Sequence, residues 1–388
     1  MKKCTLYKLE KIIIIFIFLL SIYLPFIGSF FQKDETRSSV ENRNFAKLPS
    51  FPQSLTSIGH YPERFNAYYS DNFGFRDILT QAYFKITDKH VSKTPFDDVT
   101  FGKNDWLFLG SIKPGYDRYD DPIGDAINRN LFTQKELVNF AQSIMKINSW
   151  LKDRGIEYLY IIAPNKHTIY FEYLPEYISK IGLESSTDQL VNYLLEHTDV
   201  NVLDLRQPLI EEKKKHQVYF KTDTHWNHYG ANVAQYEILK KISNFFPNHI
   251  SPSLLRENQF NITHMNGGDL AGLAKLQNIV EVSPQPIFEG GCIPKNENPA
   301  HVGEKTHTIV CETKTLNALI FRDSFFWALK PYISREFKRS TYIWGRLDYL
   351  LLTEYINKEN PDIVIEEVVE RSLPYNLKHN FFPIKGAQ

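Results

Sequence analysis

The apolar residues of this chain follow two different patterns. Residues 12–31 form one uninterrupted run without a charged residue, IIIIFIFLLSIYLPFIGSFF. From residue 134 onward, short apolar runs rich in β-branched residues alternate with longer amphipathic stretches. The short runs are typical of buried strands, and the longer stretches are typical of helices that pack against a sheet.

The second pattern predicts an α/β domain. The predicted strands are residues 156–163, 201–205, 316–321, 340–344 and 362–369, and the predicted helices are residues 134–153, 185–197, 229–246, 325–337 (bent at Pro331) and 347–358. Strands separated by helices form a mostly parallel sheet with both faces covered. Residues 99–110 are predicted to form a hairpin, and 217–220 a short extended piece. In such sheets the functional site lies beyond the carboxyl ends of the strands.

The first pattern predicts a membrane anchor. A helix over residues 12–31 would be roughly 30 Å long, which is about the thickness of a bilayer core. Four lysines and one glutamate give residues 1–32 a net charge of +3 (4 − 1), and the positive-inside rule places that end in the cytoplasm. We therefore expect a cytoplasmic tip and anchor at 1–32, a stalk at 33–61 and one large α/β domain at 62–388 on the outside. A cleaved signal peptide is the alternative interpretation.

Composition narrows the classes of function. The 45 Lys and Arg residues balance 45 Asp and Glu residues over 388 positions, so the part after residue 32 has a net charge of −3 (0 − 3). This charge argues against a nucleic-acid-binding protein, which normally has a basic excess. An apolar fraction of 43% and a charged fraction of 23% exclude a disordered chain. Cys292 and Cys311 lie 19 residues apart in the exported part, where we expect a disulfide around a polar loop; two free thiols are the alternative.

Polar segments follow the predicted strands and extended pieces. They are residues 164–166, 221–230, 322–324 and 370–371. Ser324 would occupy a strand-to-helix turn, and a serine hydroxyl becomes a good nucleophile when an imidazole removes its proton. Asp223 and His225 are two positions apart in an extended stretch, so their side chains would point to the same side. That arrangement suits a general base and the carboxylate that orients it.

Two alternatives apply to the same residues. A serine before a helix is often its N-cap, where the hydroxyl accepts a hydrogen bond from a backbone N–H group. Asp223, His225 and His228 also form a compact set of possible metal ligands. The metal interpretation lacks an obvious further ligand and ranks below the nucleophilic one.

One segment carries a family resemblance. The sequence YFKTDTHWNHYGA (219–231) resembles the D-x-H-W block of the alginate O-acetyltransferase AlgX/AlgJ and DHHW-type families, which are exported SGNH hydrolase-like proteins. The order of the GKNDWLF, APNKHTIY, GGDLAGL, RDSFF and PDIVIEEVVERSL segments is similar as well. The resemblance covers nearly the whole exported chain. It implies an α/β, SGNH hydrolase-like (flavodoxin-like) fold, with a mostly parallel sheet flanked by helices and an N-terminal transmembrane helix.

The resemblance also implies roles for individual residues. Ser324 would be the nucleophile, His225 its general base and Asp223 the carboxylate that orients the base. The other candidates, for contacts with the oxyanion or the substrate, are Asn165, Lys166, Trp226, Tyr229, Arg322 and Arg371. Most of these have a simpler role as a turn, a solvated charge, a packed ring, a helix start or half of an ion pair. Arg322 stands where the usual Gly-Asp-Ser block has its glycine, and Asp269, after two glycines, is assigned to a loop turn.

The function implied by the resemblance is that of an exported, membrane-anchored O-acetyltransferase. It would acetylate a cell-surface or secreted polysaccharide through a serine acyl-enzyme, without a cofactor and without a nucleic-acid partner. A multi-spanning membrane O-acyltransferase would supply the acetyl groups. The catalytic domain would face the periplasm from a single-pass anchor in the inner membrane, or the outside of a Gram-positive cell. An SGNH-type carbohydrate acetylesterase and a non-catalytic polysaccharide-binding scaffold stay open as alternatives.

Overall fold

The computed structural model describes most of the chain after residue 97, namely residues 98–110, 121–276, 278–297 and 305–377. It also describes short pieces of the first 74 residues, which are 14–16, 18–20, 23–24, 28, 47–52, 61–62, 64–66, 68–69 and 74. The chain divides into two compact units, Met1–Lys93 with Gly272–Gln277 and Thr94–Ala271 with Asn278–Gln388. The second unit holds the central sheet and all of the predicted site residues.

The predicted membrane anchor falls mostly outside the described residues. The described pieces between residues 14 and 28 are helical. Within the described part of the chain, no helix combines the length and the apolar character that a membrane span requires. The anchor over 12–31 and the stalk over 33–61 therefore stay predictions.

A seven-stranded sheet lies at the centre of the second unit. The strands of the described chain are β1 (Val99–Phe101), β2 (Leu107–Leu109), β3 (Glu157–Ala163), β4 (Asn201–Asp204), β5 (Phe260–Asn266), β6 (Val280–Pro286), β7 (Lys295–Asn296), β8 (Thr306–Val310), β9 (Asn317–Arg322), β10 (Arg339–Trp344) and β11 (Ile363–Val369). The central sheet has the order β4-β3-β11-β9-β10-β8-β7. Its first five strands are parallel, and β8 and β7 are antiparallel to their neighbours. The prediction of a mostly parallel sheet is confirmed.

Helices cover both faces of this sheet. The α-helices of the described chain are α1 (Pro122–Ala126), α2 (Gln134–Lys152), α3 (Lys166–Ile169), α4 (Ser186–His197), α5 (Arg206–Glu212), α6 (His228–Ser243), α7 (Asp269–Leu273), α8 (Lys330–Ile333) and α9 (Tyr349–Glu359). Short 3₁₀ helices span Phe171–Tyr173, Glu257–Gln259, Ser324–Leu329 and Glu370–Leu377. On β3, Leu159 belongs to the apolar core that includes α6, while Tyr160 belongs to the core that includes α2. Successive strand side chains point to opposite faces, so the continuous apolar run of β3 builds both cores.

The predicted hairpin over residues 99–110 is confirmed. β1 pairs with β2 in antiparallel register. Asn104 and Asp105 lie at its tip with positive φ angles of 54° and 65°. Asn and Asp tolerate this left-handed backbone better than most residues, which is why they are common in such turns.

The predicted helix over residues 325–337 is wrong in its type and extent. The chain forms a 3₁₀ helix over Ser324–Leu329, followed by the single turn of α8. Pro331 has no N–H group to donate to the carbonyl of Trp327, as a continuous α-helix would require. The N–H of Lys330 is shared between that carbonyl and the carbonyl of Phe326, and its bond to Trp327 has the tighter spacing of a 3₁₀ helix.

The described residues between Cys292 and Cys311 include two strands, where the sequence predicted a polar loop. These strands, β7 and β8, extend the central sheet beyond β10. The sequence of β8, THTIV, alternates too weakly to stand out as a strand. Cys292 and Cys311 are joined by a disulfide, with Cα atoms 5.9 Å apart.

Candidate active site

Polar residues meet at the carboxyl edge of the central sheet. Asn165 follows β3, Ser324 follows β9 and Arg371 follows β11, and these three strands are neighbours in the sheet. The loop before α6, which carries Asp223 and His225, reaches the same edge. The polar segments identified in the sequence therefore lie together at this edge. Some of them are about two hundred residues apart in the chain.

The central feature of this edge is a hydrogen-bonded series of three side chains. His225 Nδ1 lies 2.7 Å from Asp223 Oδ1, and His225 Nε2 lies 2.7 Å from Ser324 Oγ. Burial alone would raise the pKa of Asp223, but hydrogen bonds from His225 and from the backbone N–H of Asp269, together with the charge of His225, hold that pKa below its ordinary value. An ionised carboxylate only accepts hydrogen bonds, so Nδ1 carries a proton and Nε2 accepts the proton of the serine hydroxyl.

Ser324 does not cap its own helix. Asp323 is the N-cap residue, and its Oδ1 accepts a hydrogen bond of 2.9 Å from the N–H of Phe325. Its Oδ2 accepts a further bond of 2.8 Å from the N–H of Val369 on the adjacent strand end. The hydroxyl of Ser324 is thereby left to contact His225, and the N-cap alternative for this serine is excluded.

Arg322 fits the turn without backbone strain. It is the last residue of β9, and it is absent from the described residues with positive φ. The next residue, Asp323, has φ −103°. The glycine of the usual Gly-Asp-Ser block is thus not required for backbone freedom here.

Asp269 is a part of the site whose role the sequence did not predict. Its N–H donates to Asp223 Oδ2 at 3.0 Å, and its own Oδ1 accepts from the N–H of Thr224 at 2.7 Å. Its Oδ2 lies 3.9 Å from His225 Nδ1. Burial and the charge of Asp223 raise the pKa of Asp269. Two carboxylates therefore lie near the imidazole, where a negative charge favours the protonated form of the ring.

The ligand set of the alternative metal interpretation does not form as such. His228 lies against Tyr332, with 3.5 Å between Nδ1 and the phenol oxygen. Burial lowers the pKa of His228 to about 4. In the described chain, the compact group with donor atoms suitable for a metal is Asp223, His225 and Asp269, with all three atoms within 4.8 Å of one another. Asp269 thus takes the place that the metal alternative gave to His228.

Lys166 holds the loop that carries the Asp–His pair. Its ammonium group donates to the carbonyl oxygens of Phe220, Lys221 and Asp223 at 3.2, 3.0 and 2.7 Å. The residue is only 2% exposed, and burial lowers its pKa to about 7 while the charges of nearby carboxylates oppose that change. Three acceptors require the three protons of the charged form. Lys166 is therefore a positioning residue beneath the loop, in a place where a substrate does not reach it.

Glu281 holds the same loop from the other side. Its Oε2 accepts from the N–H and the hydroxyl of Thr222, at 3.1 and 2.6 Å, and its Oε1 accepts from the N–H of Lys221. Glu281 lies on β6, about sixty residues further along the chain. Sequence reasoning missed it, because a lone glutamate in a strand has no local motif.

Asn165 and Arg371 contact each other under the strand ends. Arg371 Nη1 donates to Asn165 Oδ1 at 3.0 Å, and Asn165 Nδ2 donates to Asp125 Oδ2 at 2.8 Å. The Arg371 guanidinium also lies 5.6 Å from the centre of the Phe325 ring. Asn165 is fully buried. Both polar atoms of its amide have protein partners, so an oxyanion contact by this amide stays a prediction.

Aromatic packing fixes the imidazole. Phe325 lies 4.8 Å from the His225 ring, and Trp226 packs edge-on against Phe325 at 5.2 Å. Trp226 is 1% exposed, so it supports the site from within the core instead of stacking on a substrate. Tyr229 stacks on His216 at 4.5 Å and contacts Phe260. Phe325, held in place by Trp226, therefore packs against one side of the His225 ring.

Gly268 allows the backbone of Gly268 and Asp269, whose N–H donates to Asp223 Oδ2, to approach Asp223 closely, and we call this contact the clamp. A Cβ atom at this position would lie 2.3 Å from Asp223 Cβ and 2.8 Å from Asp223 Cα, so the backbone would have to shift. We expect Gly268→Ala to lower kcat/KM for an acetyl ester by roughly 10²-fold, because a displacement of about 1 Å in a catalytic group has that cost. Gly182→Ala is the matched control, since a Cβ there meets nothing within 4 Å. Equal activity of the two variants would contradict the proposed clamp.

Comparison with known proteins gives the same family as the D-x-H-W block of the sequence. Residues 99–370 match the family model described as the SGNH hydrolase-like domain of the acetyltransferase AlgX. The probable alginate O-acetylase AlgJ of Pseudomonas fluorescens is 25% identical over 358 residues, which cover 86% of this chain and 83% of that protein. The solved structure of PatB1 from Bacillus cereus is similar in fold, with a TM-score of 0.50 and 17% identity over 74% of this chain and all of that one.

The family match spans most of the chain and includes nearly every segment at the carboxyl edge. It confirms the resemblance, the SGNH hydrolase-like fold and the class of enzyme, an O-acyltransferase, that the sequence predicts. The chain belongs to the AlgX family of SGNH hydrolase-like acetyltransferase domains.

Proposed function

We propose that this chain is an exported, membrane-anchored O-acetyltransferase that acetylates a polysaccharide through a covalent acetyl-serine intermediate. The observation that carries the proposal is the unbroken series of hydrogen bonds from Asp223 through His225 to Ser324, with 2.7 Å at each step. Nucleophile, base and orienting carboxylate at such distances are the arrangement required for acyl transfer. The name of the Pseudomonas fluorescens relative, a probable alginate O-acetylase, supports a polysaccharide as the acceptor.

The first half-reaction transfers the acetyl group to the enzyme. Ser324 Oγ attacks the acetyl carbonyl carbon while His225 Nε2 takes the hydroxyl proton. The tetrahedral intermediate then collapses, the bond to the donor oxygen breaks, and the imidazolium gives its proton to that oxygen. Asp223 stabilises the imidazolium that forms, and Asp269 adds a second negative charge 3.9 Å from Nδ1.

The second half-reaction repeats these steps with a sugar hydroxyl. His225 removes the hydroxyl proton, the sugar oxygen attacks the acetyl-serine, and the proton returns to Ser324 Oγ as the ester bond to the enzyme breaks. The backbone N–H of Ser324, which finds no acceptor among the described residues, is available to the oxyanion in both halves. It lies at the start of a 3₁₀ helix, where unpaired N–H groups face outward.

Export and anchoring form part of the same proposal. The uncharged run over residues 12–31, with four lysines before it, supports a single-pass anchor and a catalytic domain on the outer side. A disulfide between Cys292 and Cys311 suits an oxidising compartment. The proposal includes a multi-spanning membrane O-acyltransferase that passes acetyl groups to the outer side, as the family resemblance implies.

The proposal is tested by trapping the intermediate. The full chain in detergent is mixed with a chromogenic acetyl ester, quenched in acid and digested, and the peptide that contains Ser324 is weighed by mass spectrometry. We expect an acetyl group on Ser324, which disappears when an oligosaccharide acceptor is added and reappears on the sugar. Acetyl label absent from Ser324 would overturn the nucleophile assignment, and free acetate as the only product would overturn transfer in favour of hydrolysis.

A further inference from the structure

A buried glutamate lies beside the turn that carries the nucleophile. We call residues 322–324, at the end of β9, the nucleophile turn. In the adjacent parallel strand β11, Glu366 pairs with Phe321 of β9. The next position along each strand therefore places Glu367 level with Arg322. Glu367 is only 1% exposed, and glutamate is rarely buried to this extent without a specific partner.

Glu367 accepts a hydrogen bond from the backbone of the nucleophile turn. The N–H of Asp323 donates to Glu367 Oε2 at 3.0 Å. The two carboxyl oxygens of Asp323 accept from the N–H groups of Phe325 and Val369, at 2.9 and 2.8 Å. Its carbonyl oxygen accepts from Arg322 Nη1 at 3.2 Å. Each hydrogen-bonding group of Asp323 therefore has a partner, and Glu367 is the side chain that holds its N–H.

This hydrogen bond sets the direction of the nucleophile. Ser324 follows Asp323 directly, and its Oγ lies 2.7 Å from His225 Nε2. A rotation of the backbone at Asp323 would move the hydroxyl away from the imidazole. Without an acceptor on β11, the N–H of Asp323 would be left unpaired in a partly buried position, and the turn would shift to satisfy it. Glu367 therefore acts on Ser324 through the backbone of Asp323.

The surroundings of Glu367 favour an uncharged carboxyl group. Its second oxygen, Oε1, is buried without a hydrogen-bond partner. In the part of the chain that the structure describes, no nitrogen of a lysine, arginine or histidine lies within 4.0 Å of this carboxyl group. A buried carboxylate that lacks both a donor at one oxygen and a paired cation is unfavourable. A proton on the group removes its charge and the larger part of this penalty.

The titratable neighbours of Glu367 are consistent with the protonated form. Burial and the negative charge of Asp323 raise the pKa of Glu367 well above its ordinary value, although the charge of Arg346 opposes this change. Arg322, on the neighbouring strand, is a second cation near enough to act on its charge. Tyr219 is a buried phenol whose own pKa is raised by burial, so it is neutral. We therefore expect Glu367 to hold a proton at neutral pH.

We propose that Glu367 is a positioning residue for the nucleophile and that it acts as a neutral carboxylic acid. In this form Oε2 accepts the N–H of Asp323 and adds no negative charge beside the carboxyl group of that residue. A charged Glu367 would repel that carboxyl group, whose two oxygens hold the start of the 3₁₀ helix and the end of β11. The inference rests on the proposed function, because it takes Ser324 as the nucleophile, and it adds a residue outside the series of Asp223, His225 and Ser324.

Glu366 provides a matched control. It precedes Glu367 in the same strand, and it is 4% exposed. Successive strand side chains point to opposite faces, and Glu366 Oε2 accepts a hydrogen bond of 2.7 Å from the hydroxyl of Tyr158, which belongs to the core that includes α2. Substitutions at the two glutamates therefore change a buried side chain alike, but only those at Glu367 remove the acceptor of the nucleophile turn.

Two substitutions at Glu367 separate the contact from the charge. Glu367→Met keeps the length of the side chain and removes the acceptor. We expect it to lower kcat for a chromogenic acetyl ester about 10²-fold with KM unchanged, because a displacement of about 1 Å in a reacting group has that cost. Glu367→Gln restores an acceptor without a charge, and we expect it to recover at least about tenfold of that loss. Glu366→Met and Glu366→Gln should keep the wild-type kcat.

Two further measurements report on the nucleophile and on the proton. Each variant is prepared as the full chain in detergent, and thermal unfolding checks that it is folded. The rate at which a sulfonyl fluoride modifies Ser324, followed by mass spectrometry, should fall with kcat in Glu367→Met. If that variant does not fold, Glu367→Asp replaces it, because the shorter side chain keeps a carboxyl group and withdraws the acceptor. In infrared difference spectra at neutral pH, Glu367→Gln should lose a C=O band of a protonated carboxylic acid that the wild type has.

Each part of the proposal has a result that contradicts it. Wild-type kcat and labelling rate in Glu367→Met, or an equal loss in Glu366→Met, would overturn the positioning role. Turnover of Glu367→Gln as slow as that of Glu367→Met, or loss of a carboxylate band in place of the acid band, would overturn the neutral acid. A wild-type chain in which Ser324 takes neither the acetyl nor the sulfonyl group would instead overturn the proposed function, so the two failures are distinguishable.

Discussion

Replacing Ser324 with alanine is expected to lower turnover of a chromogenic acetyl ester by at least about 10⁴-fold, because loss of a hydrolase nucleophile costs this much or more. The hydroxyl is the atom that His225 Nε2 faces at 2.7 Å. The substitution removes one oxygen atom at a half-buried position, and the cap of the 3₁₀ helix belongs to Asp323. We therefore expect the thermal unfolding midpoint to stay unchanged while the catalytic rate collapses.

Ser143→Ala is the matched control for this variant. Ser143 lies on α2, where its hydroxyl bonds to the carbonyl of Asn139 on the solvent side. The control should keep full turnover. A Ser324→Ala protein with more than about a tenth of the wild-type rate would show that another group is the nucleophile, since background catalysis by binding alone is far smaller.

Asp223→Asn should be the second most damaging change, with an expected loss in kcat of about 10³- to 10⁴-fold. Asp223 accepts hydrogen bonds from three donors, which are the backbone N–H of His225, the Nδ1–H of His225 and the N–H of Asp269. These donors use both carboxylate oxygens. An asparagine has one oxygen and one NH₂ group, so in either orientation a donor faces another donor. The imidazole then loses the partner that fixes its tautomer.

A control variant and a measurement of folding show whether Asp223→Asn acts on the catalytic rate or on the stability of the chain. Asp199→Asn removes an exposed carboxylate that pairs with Lys152 at 3.3 Å, and it should leave kcat unchanged. For Asp223→Asn, circular dichroism and thermal unfolding should show a folded chain, while the rate at each pH between about 6 and 9 stays low. Wild-type kcat in this variant would mean that Asp269 or another group orients His225.

The strands that could be predicted from the sequence are those made of an almost continuous run of apolar residues. The runs of β3, β9 and β11 are each buried on both faces, so most residues in them are apolar and the strand stands out. The strands β7 and β8 could not be predicted, because β7 is an edge strand of only two residues and β8 has no long apolar run. The residues after β9 have the apolar spacing of an α-helix, although Pro331 imposes the tighter 3₁₀ turn.

Some residues of the candidate site could likewise be predicted from the sequence, and others could not. Asp223 and His225 are two residues apart, so the chain itself brings them together, and their motif is local. Ser324 joins them because β9 delivers it to the same edge of the sheet, which the predicted order of strands and helices implies. Asp269 and Glu281 act through backbone contacts with the 221–224 loop, and contacts between distant segments leave no pattern in the sequence.

The disulfide between Cys292 and Cys311 has a consequence for the solubility of the molecule. It joins the two ends of the segment that contains β7 and β8. On this side of the central sheet the edge strand is β7, which has only two residues. A long unpaired border would act as a template on which a second chain could add a strand and start aggregation. By tying back the chain just before β7, the cross-link keeps this border short.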